Sequence, residues 1–390
     1  MHLTKEEERI YEGEEGWARK KAMEILVAIG DINNASQLIP IKSAHISGAS
    51  YKTIGDAFEF INSLEGTTVK VKSTLNPTGM DRENWNAMDI SETFVTKQKG
   101  VINAYRKLGV SVECTCVPYL IGNTPTCGEH IAWAESSAVL YANSVLGART
   151  NMEGAPSALA AALIGKTPLY GLHLTENREP EMRVCVNCAL ADADYSVLGF
   201  LIGDFVGNKI PVIELPPDSS PSTDELKYLS AAIGATGSVG MYHIKGITPE
   251  ADAMGSPAEK IEIEKYDLKK FYADTEKGDV IAIGCPHCSA SELQQIYGLL
   301  KAESKGRKVR KDFFVFTARA IKERMQDEVR KIENYGVKVI CDTCFVVSPA
   351  FESYKCVITN SGKMLRYVPL LCGGADVRLC KTEECVRLAF

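Results

Sequence analysis

Short apolar runs alternate with longer amphipathic stretches over most of the chain. Runs of strand length lie at 68–72, 110–114, 211–215, 280–284, 313–316 and 337–341. Stretches with a helical spacing of apolar residues lie at 4–27, 289–302 and 318–335, and Thr4 with Glu7 predicts a capping box at the start of the first. Buried strands that alternate with helices are typical of α/β units with parallel sheets.

The same pattern predicts three α/β lobes, which we place at about residues 1–150, 151–245 and 246–390. A chain of 390 residues is long enough for two or three domains. The Pro- and Ser-rich segment 216–223 is the clearest internal break, although a surface loop would have the same composition, and 248–257 is a second candidate.

The balance of charge narrows the range of partners. Asp and Glu number 50 against 44 Lys and Arg, which gives a net charge of −6. Proteins that bind a nucleic-acid backbone usually carry a basic excess, so nucleic acid is disfavoured. The charged N-terminal stretch lacks the apolar centre of a signal peptide, and no apolar run approaches the length of a membrane span. We therefore expect a cytoplasmic protein with no membrane partner.

Thirteen cysteines are many for a reducing compartment, where clustered cysteines more often bind metal or carry redox chemistry than form disulfides. The Cys-x-x-Cys pairs at 285/288 and 341/344 are too far apart for a zinc ribbon. The pair at 285/288 follows a strand and precedes a helix, as a thioredoxin-type dithiol does, but nothing else in the chain indicates that fold.

A third arrangement takes one thiol from each of three strand ends. Cys116, Cys285 and Cys344 each lie one to three residues past a predicted strand, and ligands in α/β sheets collect at the carboxyl ends of strands. Three thiolates that meet there would hold an iron–sulfur cluster and leave one iron open to a hydroxyl group. The spacing alone leaves this arrangement, the dithiol and buried structural cysteines open.

Several long motifs resemble the aconitase X family, and the resemblance covers nearly the whole chain. They are IPIKSAHISGAS (39–50), KSTLNPTGMD (72–81), TCVPYLIGNTP (115–125), GEHIAWAESSAVLYANSVLGART (128–150), IGCPHCS (283–289), CDTCFVVSP (341–349) and TNSGK (359–363). The resemblance implies an α/β, aconitase-like fold with three α/β/α subdomains around an iron–sulfur site, in a chain that lacks the swivel domain.

The implied metal ligands are Cys116, Cys285 and Cys344, with His287 as a residue that orients a ligand. The implied cofactor is a [4Fe–4S] cluster, with a [2Fe–2S] cluster or mononuclear iron left open. The other cysteines are expected to be structural (Cys114, Cys127, Cys288 and Cys341) or buried hydrophobic residues (Cys185, Cys188, Cys356, Cys372, Cys380 and Cys385).

The resemblance further implies a hydro-lyase. A stand-alone chain of this length is similar to family members that dehydrate (R)-5-phosphomevalonate to trans-anhydromevalonate 5-phosphate in an archaeal-type mevalonate pathway to isoprenoids. The open iron would act as the Lewis acid. The serine base of aconitase-type enzymes lies on a swivelling domain, so a separate small subunit is the implied partner, in a heterodimer or larger assembly.

The candidate substrate-binding residues combine small-residue turns, amides, hydroxyls and cations that suit an anionic substrate. They are Gly48, Ala49, Ser50, Asn76, Pro77, Glu135, Ser136, Ser137, Arg149, Ser361 and Lys363. Glu135 is also a candidate acid or base. The TNSGK segment lacks the remainder of a P-loop, so ATP binding is not supported.

Three other functions compete with this hypothesis. Within the family, a cis-3-hydroxy-L-proline dehydratase would use the same cluster on a small amino acid. Outside it, a non-enzymatic iron-binding scaffold subunit would explain the missing base. A zinc hydrolase would need ligand motifs such as HxH or HExxH, and the sequence contains neither.

Overall fold

Three parallel sheets, each accompanied by helices, follow one another along the chain. The computed structural model describes residues 1–55, 57–272 and 277–390, and these sheets lie within them. They confirm the predicted α/β architecture with parallel strands. None of the helices in the described part of the chain is both long and apolar enough to cross a membrane.

The first sheet places Ser43–Ile46 between Lys72–Leu75 and Ala132–Trp133. A separate antiparallel pair joins Leu38–Pro40 to Lys166–Pro168. The helices of this part of the chain are Lys5–Glu12, Trp17–Ile32, Tyr51–Ile54, Ala57–Ser63, Glu92–Lys107, Ser136–Ser144 and Ala155–Ile164.

The second sheet has the order His243–Ile244, Pro211–Glu214, Met182–Val186, Lys260–Ile263. Its helices are Asp194–Val206, Thr223–Thr236 and Lys265–Lys269. The segment 216–223 connects a strand to a helix of this sheet, so it is a surface loop. The predicted lobe limit at residue 245 is approximate, and this sheet continues beyond it to Ile263.

The third sheet has the order Lys338–Cys341, Asp312–Thr317, Val280–Cys288, Cys356–Thr359, Asp376–Leu379. Its helices are Ala290–Ser304, Arg319–Arg324, Gln326–Glu333, Gly362–Leu371 and Thr382–Arg387. Short 3₁₀ helices in the described residues are Trp85–Ala87, Pro118–Leu120, Gly171–His173, Thr175–Arg178, Ala251–Ala253, Phe345–Val347 and Pro349–Phe351.

The first and second sheets share one apolar core through the helix Ser136–Ser144. Leu140 of that helix lies in the same buried cluster as Leu229 and Ile233 of the helix Thr223–Thr236. The two helices approach so closely that a Cβ at Gly234 would lie 3.0 Å from Leu140 Cδ1. This packing fixes the beginning of the helix Ser136–Ser144, where two candidate site residues lie.

Most of the predicted strands are present, but the run 110–114 is not one of them. In the described residues its only ladder contact is an isolated bridge from Ser111 to Thr74, so the prediction of a strand there is wrong. The run 68–72 predicts its strand too early, because the residues that pair are Lys72–Leu75.

Two predicted helices are each divided in two. The first breaks between Glu12 and Trp17, where Gly13 and Gly16 have φ values of 96° and 91° that other residues rarely adopt. Its capping box is confirmed, since Glu7 N donates to Thr4 Oγ1 at 3.3 Å and Thr4 N donates to Glu7 Oε2 at 2.7 Å. The helix at 318–335 breaks at Met325.

Candidate active site

One edge of the first sheet carries three of the candidate segments. Its parallel strands end at Ile46, Leu75 and Trp133, and the chain continues into residues 48–50, 76–77 and 135–136. The carboxyl ends of parallel strands lie at the same edge of a sheet, which is where such sheets bind ligands. The topology therefore brings these segments together.

The strand ends of the third sheet complete the wall. Cys285 lies in Val280–Cys288 where the register with the neighbouring strand shifts, Cys344 follows Lys338–Cys341, and Lys363 lies in the first turn of Gly362–Leu371. The resulting cavity has a volume of about 320 Å³. It is lined by Gly48, Ala49, Ser50, Thr53, Asn76, Pro77, Cys116, Ala134, Glu135, Ser136, Gly284, Cys285, Pro286, His287, Cys344, Phe345, Val346, Val347, Lys363, Tyr367 and Leu371.

Gly284 is required by the backbone beside Cys285. Its φ is 108°, and a Cβ there would lie 2.2 Å from the carbonyl oxygen of Phe316 on the neighbouring strand. A side chain would therefore force the two strands apart. The position of the Cys285 thiol depends on this glycine.

The thiols of Cys116, Cys285 and Cys344 are half-buried side chains of one cavity. Burial raises the pKa of Cys285 to about 12, and it raises the pKa of Cys116 and of Cys344 above the ordinary thiol value. Unliganded, the thiols are therefore protonated at neutral pH. Binding of a metal would displace their protons, because thiolate is the ligating form.

The three thiols do not form a compact ligand set. Within residues 1–55, 57–272 and 277–390, no three His, Cys, Asp or Glu side chains form a group that could hold a metal ion as they stand. The thiols surround the cavity from separate segments of the chain.

His287 connects these segments. Its Nε2 donates to the carbonyl oxygen of Thr343 at 2.8 Å, and its Nδ1 lies 3.0 Å from Thr115 Oγ1. Its backbone N–H donates to Cys116 Sγ at 3.3 Å. Burial lowers the pKa of His287 to about 4, so the ring is neutral at neutral pH.

Glu135 and Lys363 form a buried ion pair at the cavity wall. Asn76 Nδ2 donates to Glu135 Oε2 at 2.8 Å, and Ser137 Oγ donates to Glu135 Oε1 at 2.9 Å. Burial alone would raise the pKa of Glu135, but Lys363, assisted by Asn76 and Ser137, lowers it to about 2. Burial alone would lower the pKa of Lys363, but the carboxylate of Glu135 raises it. Both groups are charged at neutral pH.

Two buried polar atoms near this pair lack a hydrogen-bond partner. They are Asn76 Oδ1 and His45 Nε2. The other ring nitrogen of His45 lies 2.8 Å from Thr74 Oγ1. Burial lowers the pKa of His45 to about 4, and the Asn76 side chain partly opposes this shift, so the Asn76 amide interacts with His45 within the protein.

A network of charges holds the loop that carries Cys344. Arg319 pairs with Asp342 and with Asp81, to which its Nη2 donates at 2.7 Å. Asp81 Oδ2 in turn accepts from Cys341 N at 3.0 Å. Asp81 and Asp342 are almost completely buried and need cationic partners, and Asp342 also pairs with Arg82 at 3.1 Å.

Comparison with known proteins identifies the family. Models described as the first, second and third domains of aconitase X match residues 1–176, 180–273 and 278–390. The chain belongs to the aconitase X family. The resemblance stated from the motifs is therefore confirmed.

Relatives extend over the full chain. The phosphomevalonate dehydratase large subunit of Methanosarcina mazei is 52% identical over 100% of this chain and 97% of its own length. The cis-3-hydroxy-L-proline dehydratase of Pseudomonas aeruginosa is 32% identical over 97% of this chain and 68% of its own length. A crystal structure titled as the holo-form of Thermococcus kodakaraensis aconitase X has a TM-score of 0.92, 46% identity and full coverage of both chains.

Most candidate residues of this aconitase X chain line the cavity. Ser137 instead orients Glu135, and Ser361 donates through Oγ to the carbonyl oxygen of Cys285 at 2.5 Å. Arg149 does not line the cavity. Its guanidinium donates to the carbonyl oxygen of His173 at 3.0 Å and lies 3.8 Å from Glu250, so these acceptors hold it elsewhere.

The motifs alone did not point to the apolar wall or to Tyr367. Phe345, Val346, Val347 and Leu371 form that wall. Tyr367 lies one helical turn after Lys363, whose Nζ is 5.7 Å from the centre of its ring. The signal for Tyr367 was its spacing: four residues after Lys363 on the helix Gly362–Leu371, it lies on the same face as that lysine.

The remaining cysteines of the aconitase X chain differ in burial. Cys188, Cys372, Cys380 and Cys385 are buried as predicted, but Cys185 and Cys356 are only half-buried, so the prediction for these two is wrong. Cys185 lies on the less buried side of the strand Met182–Val186, and Cys356 is the first residue of the strand Cys356–Thr359. Of the cysteines expected to be structural, Cys127 is exposed, and Cys114, Cys288 and Cys341 are buried.

Proposed function

We propose that this chain is the large subunit of a phosphomevalonate dehydratase. It would remove water from (R)-5-phosphomevalonate to give trans-anhydromevalonate 5-phosphate, as a step of a mevalonate route to isoprenoids. The observation that carries the proposal is one cavity that combines three thiols with the Glu135–Lys363 pair. The Methanosarcina mazei relative, at 52% identity, supports the choice of substrate.

The proposed cofactor is a [4Fe–4S] cluster held by Cys116, Cys285 and Cys344. Thiolates are the usual ligands of such clusters, and these three thiols belong to residues that line one cavity. Three protein ligands on a four-iron cluster leave one iron without a thiolate. When bound, the cluster supplies a Lewis acid that assists departure of the substrate hydroxyl.

The chain's own side chains bind and orient the substrate. Lys363, paired with Glu135, and the side-chain amide of Asn76 line the cavity, where they can contact polar groups of the substrate. The helix Ser136–Ser144 begins at the cavity wall with Ser136, and the N-terminus of a helix favours an anionic group. Because Ser50 Oγ donates to the carbonyl oxygen of Val347 at 2.6 Å, the contribution of Ser50 is a backbone N–H.

Glu135 has a restricted role in this arrangement. Since Lys363 keeps it ionised, Glu135 cannot donate a proton at neutral pH unless the pair separates. Its carboxylate holds Lys363 and Asn76 in place at the wall. We therefore assign removal of the carbon-bound proton to a serine of a small swivel-domain subunit, which makes the active assembly a heterodimer or larger complex.

The decisive experiment compares two substrates. The chain is purified without oxygen together with its small subunit and reconstituted with iron and sulfide, and water loss is followed for (R)-5-phosphomevalonate and cis-3-hydroxy-L-proline. We expect turnover of the phosphorylated acid, dependent on both subunits. Turnover of cis-3-hydroxy-L-proline alone would assign the chain to the other dehydratase, and turnover by the isolated chain would overturn the assignment of the base. Iron binding without turnover of either compound would favour a scaffold.

A further inference from the structure

The His287 ring occupies the point where the three cysteine-bearing segments meet. It lies two residues after Cys285 and is 1% exposed. One ring nitrogen contacts Thr115, the residue before Cys116, and the other contacts Thr343, the residue before Cys344. A single side chain therefore bonds to the immediate neighbours of both of the other thiol-bearing residues.

The direction of each hydrogen bond follows from its partners. A carbonyl oxygen can only accept, so Nε2 carries the proton that is donated to Thr343. In the neutral ring Nδ1 then accepts from the hydroxyl of Thr115, whose oxygen accepts from Val117 N at 3.2 Å. The chain of bonds thus includes both residues that flank Cys116.

We propose that His287 is a positioning residue that sets the spacing of the Cys116, Cys285 and Cys344 thiols for the cluster. The inference rests on the proposed iron–sulfur function. Metal ligands are commonly oriented by hydrogen bonds from the groups behind them, and loss of such a group typically costs 10–100-fold in metal affinity. Here one imidazole orients two loops instead of a single ligand. It is bonded to the hydroxyl of Thr115, which precedes Cys116, and to the backbone carbonyl of Thr343, which precedes Cys344.

The position of the imidazole is itself fixed from a further element. The buried ammonium of Lys227, on the helix Thr223–Thr236, donates to the carbonyl oxygen of His287 at 3.2 Å. Lys227 is paired with the buried carboxylate of Glu292. The second lobe therefore holds the backbone of His287, while its ring bonds to segments of the first and third lobes. These contacts suit a residue that sets the distances between the thiols.

The test uses variants that separate bonding from packing. His287→Phe fills similar space without the hydrogen bonds, and Thr115→Val removes the hydroxyl that contacts both the ring and Val117 N. Thr115→Ser retains that hydroxyl and is the matched control. Iron and sulfide per chain, the electron paramagnetic resonance spectrum of the reduced cluster and the rate of iron loss to a chelator are measured without substrate. Circular dichroism and thermal unfolding of the metal-free variants report the fold.

We expect His287→Phe and Thr115→Val to lose iron about 10–100-fold faster than the unmodified chain, with an altered spectrum, and Thr115→Ser to match it. Unchanged iron loss and spectrum in a folded His287→Phe chain would overturn the inference and leave the proposed function standing. If His287→Phe fails to fold, the rate of iron loss and the spectrum of the Thr115→Val chain are judged by the same criteria. An unmodified chain that takes up no cluster would overturn both proposals.

Discussion

The carboxylate of Glu135 is paired with the ammonium of Lys363, and each side chain is only 13% exposed. The two residues are 228 positions apart in the sequence and belong to the first and third lobes. Breaking a buried pair by removing one partner typically costs about 3–5 kcal/mol, since it leaves an uncompensated charge. This pair therefore contributes to the docking of the lobes as well as to the cavity.

Replacement of Lys363 by Met should lower the free energy of unfolding by about 3–5 kcal/mol, because Glu135 would remain buried without its cation. The double variant with Glu135→Gln should be closer to the unmodified chain than the Lys363→Met single variant is. Denaturant unfolding of the two single variants and the double variant measures the coupling. Additive effects would show that the pair does not interact in solution.

The ionisation of Glu135 predicts that the free energy of unfolding depends on pH. Its pKa in the folded chain is about 2, below the ordinary 4.5, so the stability it contributes is present above about pH 4.5 and is lost as the pH falls towards 2. The difference in free energy of unfolding between the unmodified chain and Glu135→Gln should therefore shrink between these pH values. A difference that stays constant from pH 7 to pH 3 would contradict the low pKa.

The Arg319 network should matter more than surface ion pairs. Arg319→Met leaves the buried Asp81 without its cation and leaves Asp342 with Arg82 alone, so we expect the free energy of unfolding to fall by about 3–5 kcal/mol. Arg330, which pairs with Asp327 through side chains that are 71% and 72% exposed, provides the control. Arg330→Met should change the free energy of unfolding by less than about 1 kcal/mol. Equal effects of the two substitutions would contradict the role given to the network.

Substitution of Gly284, with Gly298 as the control position, gives a second matched test. Gly284→Ala would place a methyl group against the Phe316 carbonyl, and we expect a loss of about 3 kcal/mol or more together with weaker iron binding. Gly298 lies in the helix Ala290–Ser304 with open space around its Cβ position. Gly298→Ala should raise the free energy of unfolding by about 0.5–1 kcal/mol. Thermal unfolding and iron content check both, and a stable, iron-replete Gly284→Ala chain would contradict the argument.

The cysteine assignment is tested with a distant control. Cys116→Ser should reduce turnover of the reconstituted complex roughly 100-fold or more and remove most of its iron, because serine is a poor ligand for an iron–sulfur cluster. Cys127→Ser changes an exposed cysteine that does not line the cavity and should leave iron content and turnover unchanged. Full iron content and an unaltered spectrum in the Cys116→Ser chain would show that another residue is the ligand.

The local sequence pattern predicts most of the strands, but it does not show which of them pair with a sheet. The strand Val280–Cys288 was predictable because its apolar run is continuous and buried, and the motifs gave most of the cavity residues. The run 110–114 alternates apolar and polar residues as a strand can, but within the described residues its only ladder contact with the first sheet is at Ser111. Local sequence does not determine which edge a segment reaches.

The partners of Arg149 and Glu135 could not be read from spacing. An arginine suits a phosphate and a carboxylate equally well, and only the fold shows that Glu250 and a backbone carbonyl hold Arg149 away from the cavity. The ion pair of Glu135 likewise depends on lobes that are separated by the whole second sheet. Such contacts are properties of the topology.

The residues that line the cavity lie between positions 48 and 371 of the chain. During synthesis on a ribosome, the thiol of Cys116 therefore emerges long before the segments that carry Cys285 and Cys344 exist, and the first lobe must fold around an incomplete pocket. A prosthetic group that is bound by all three thiols can be completed only after translation has passed Cys344. The cell consequently has to deliver it to a nearly finished chain.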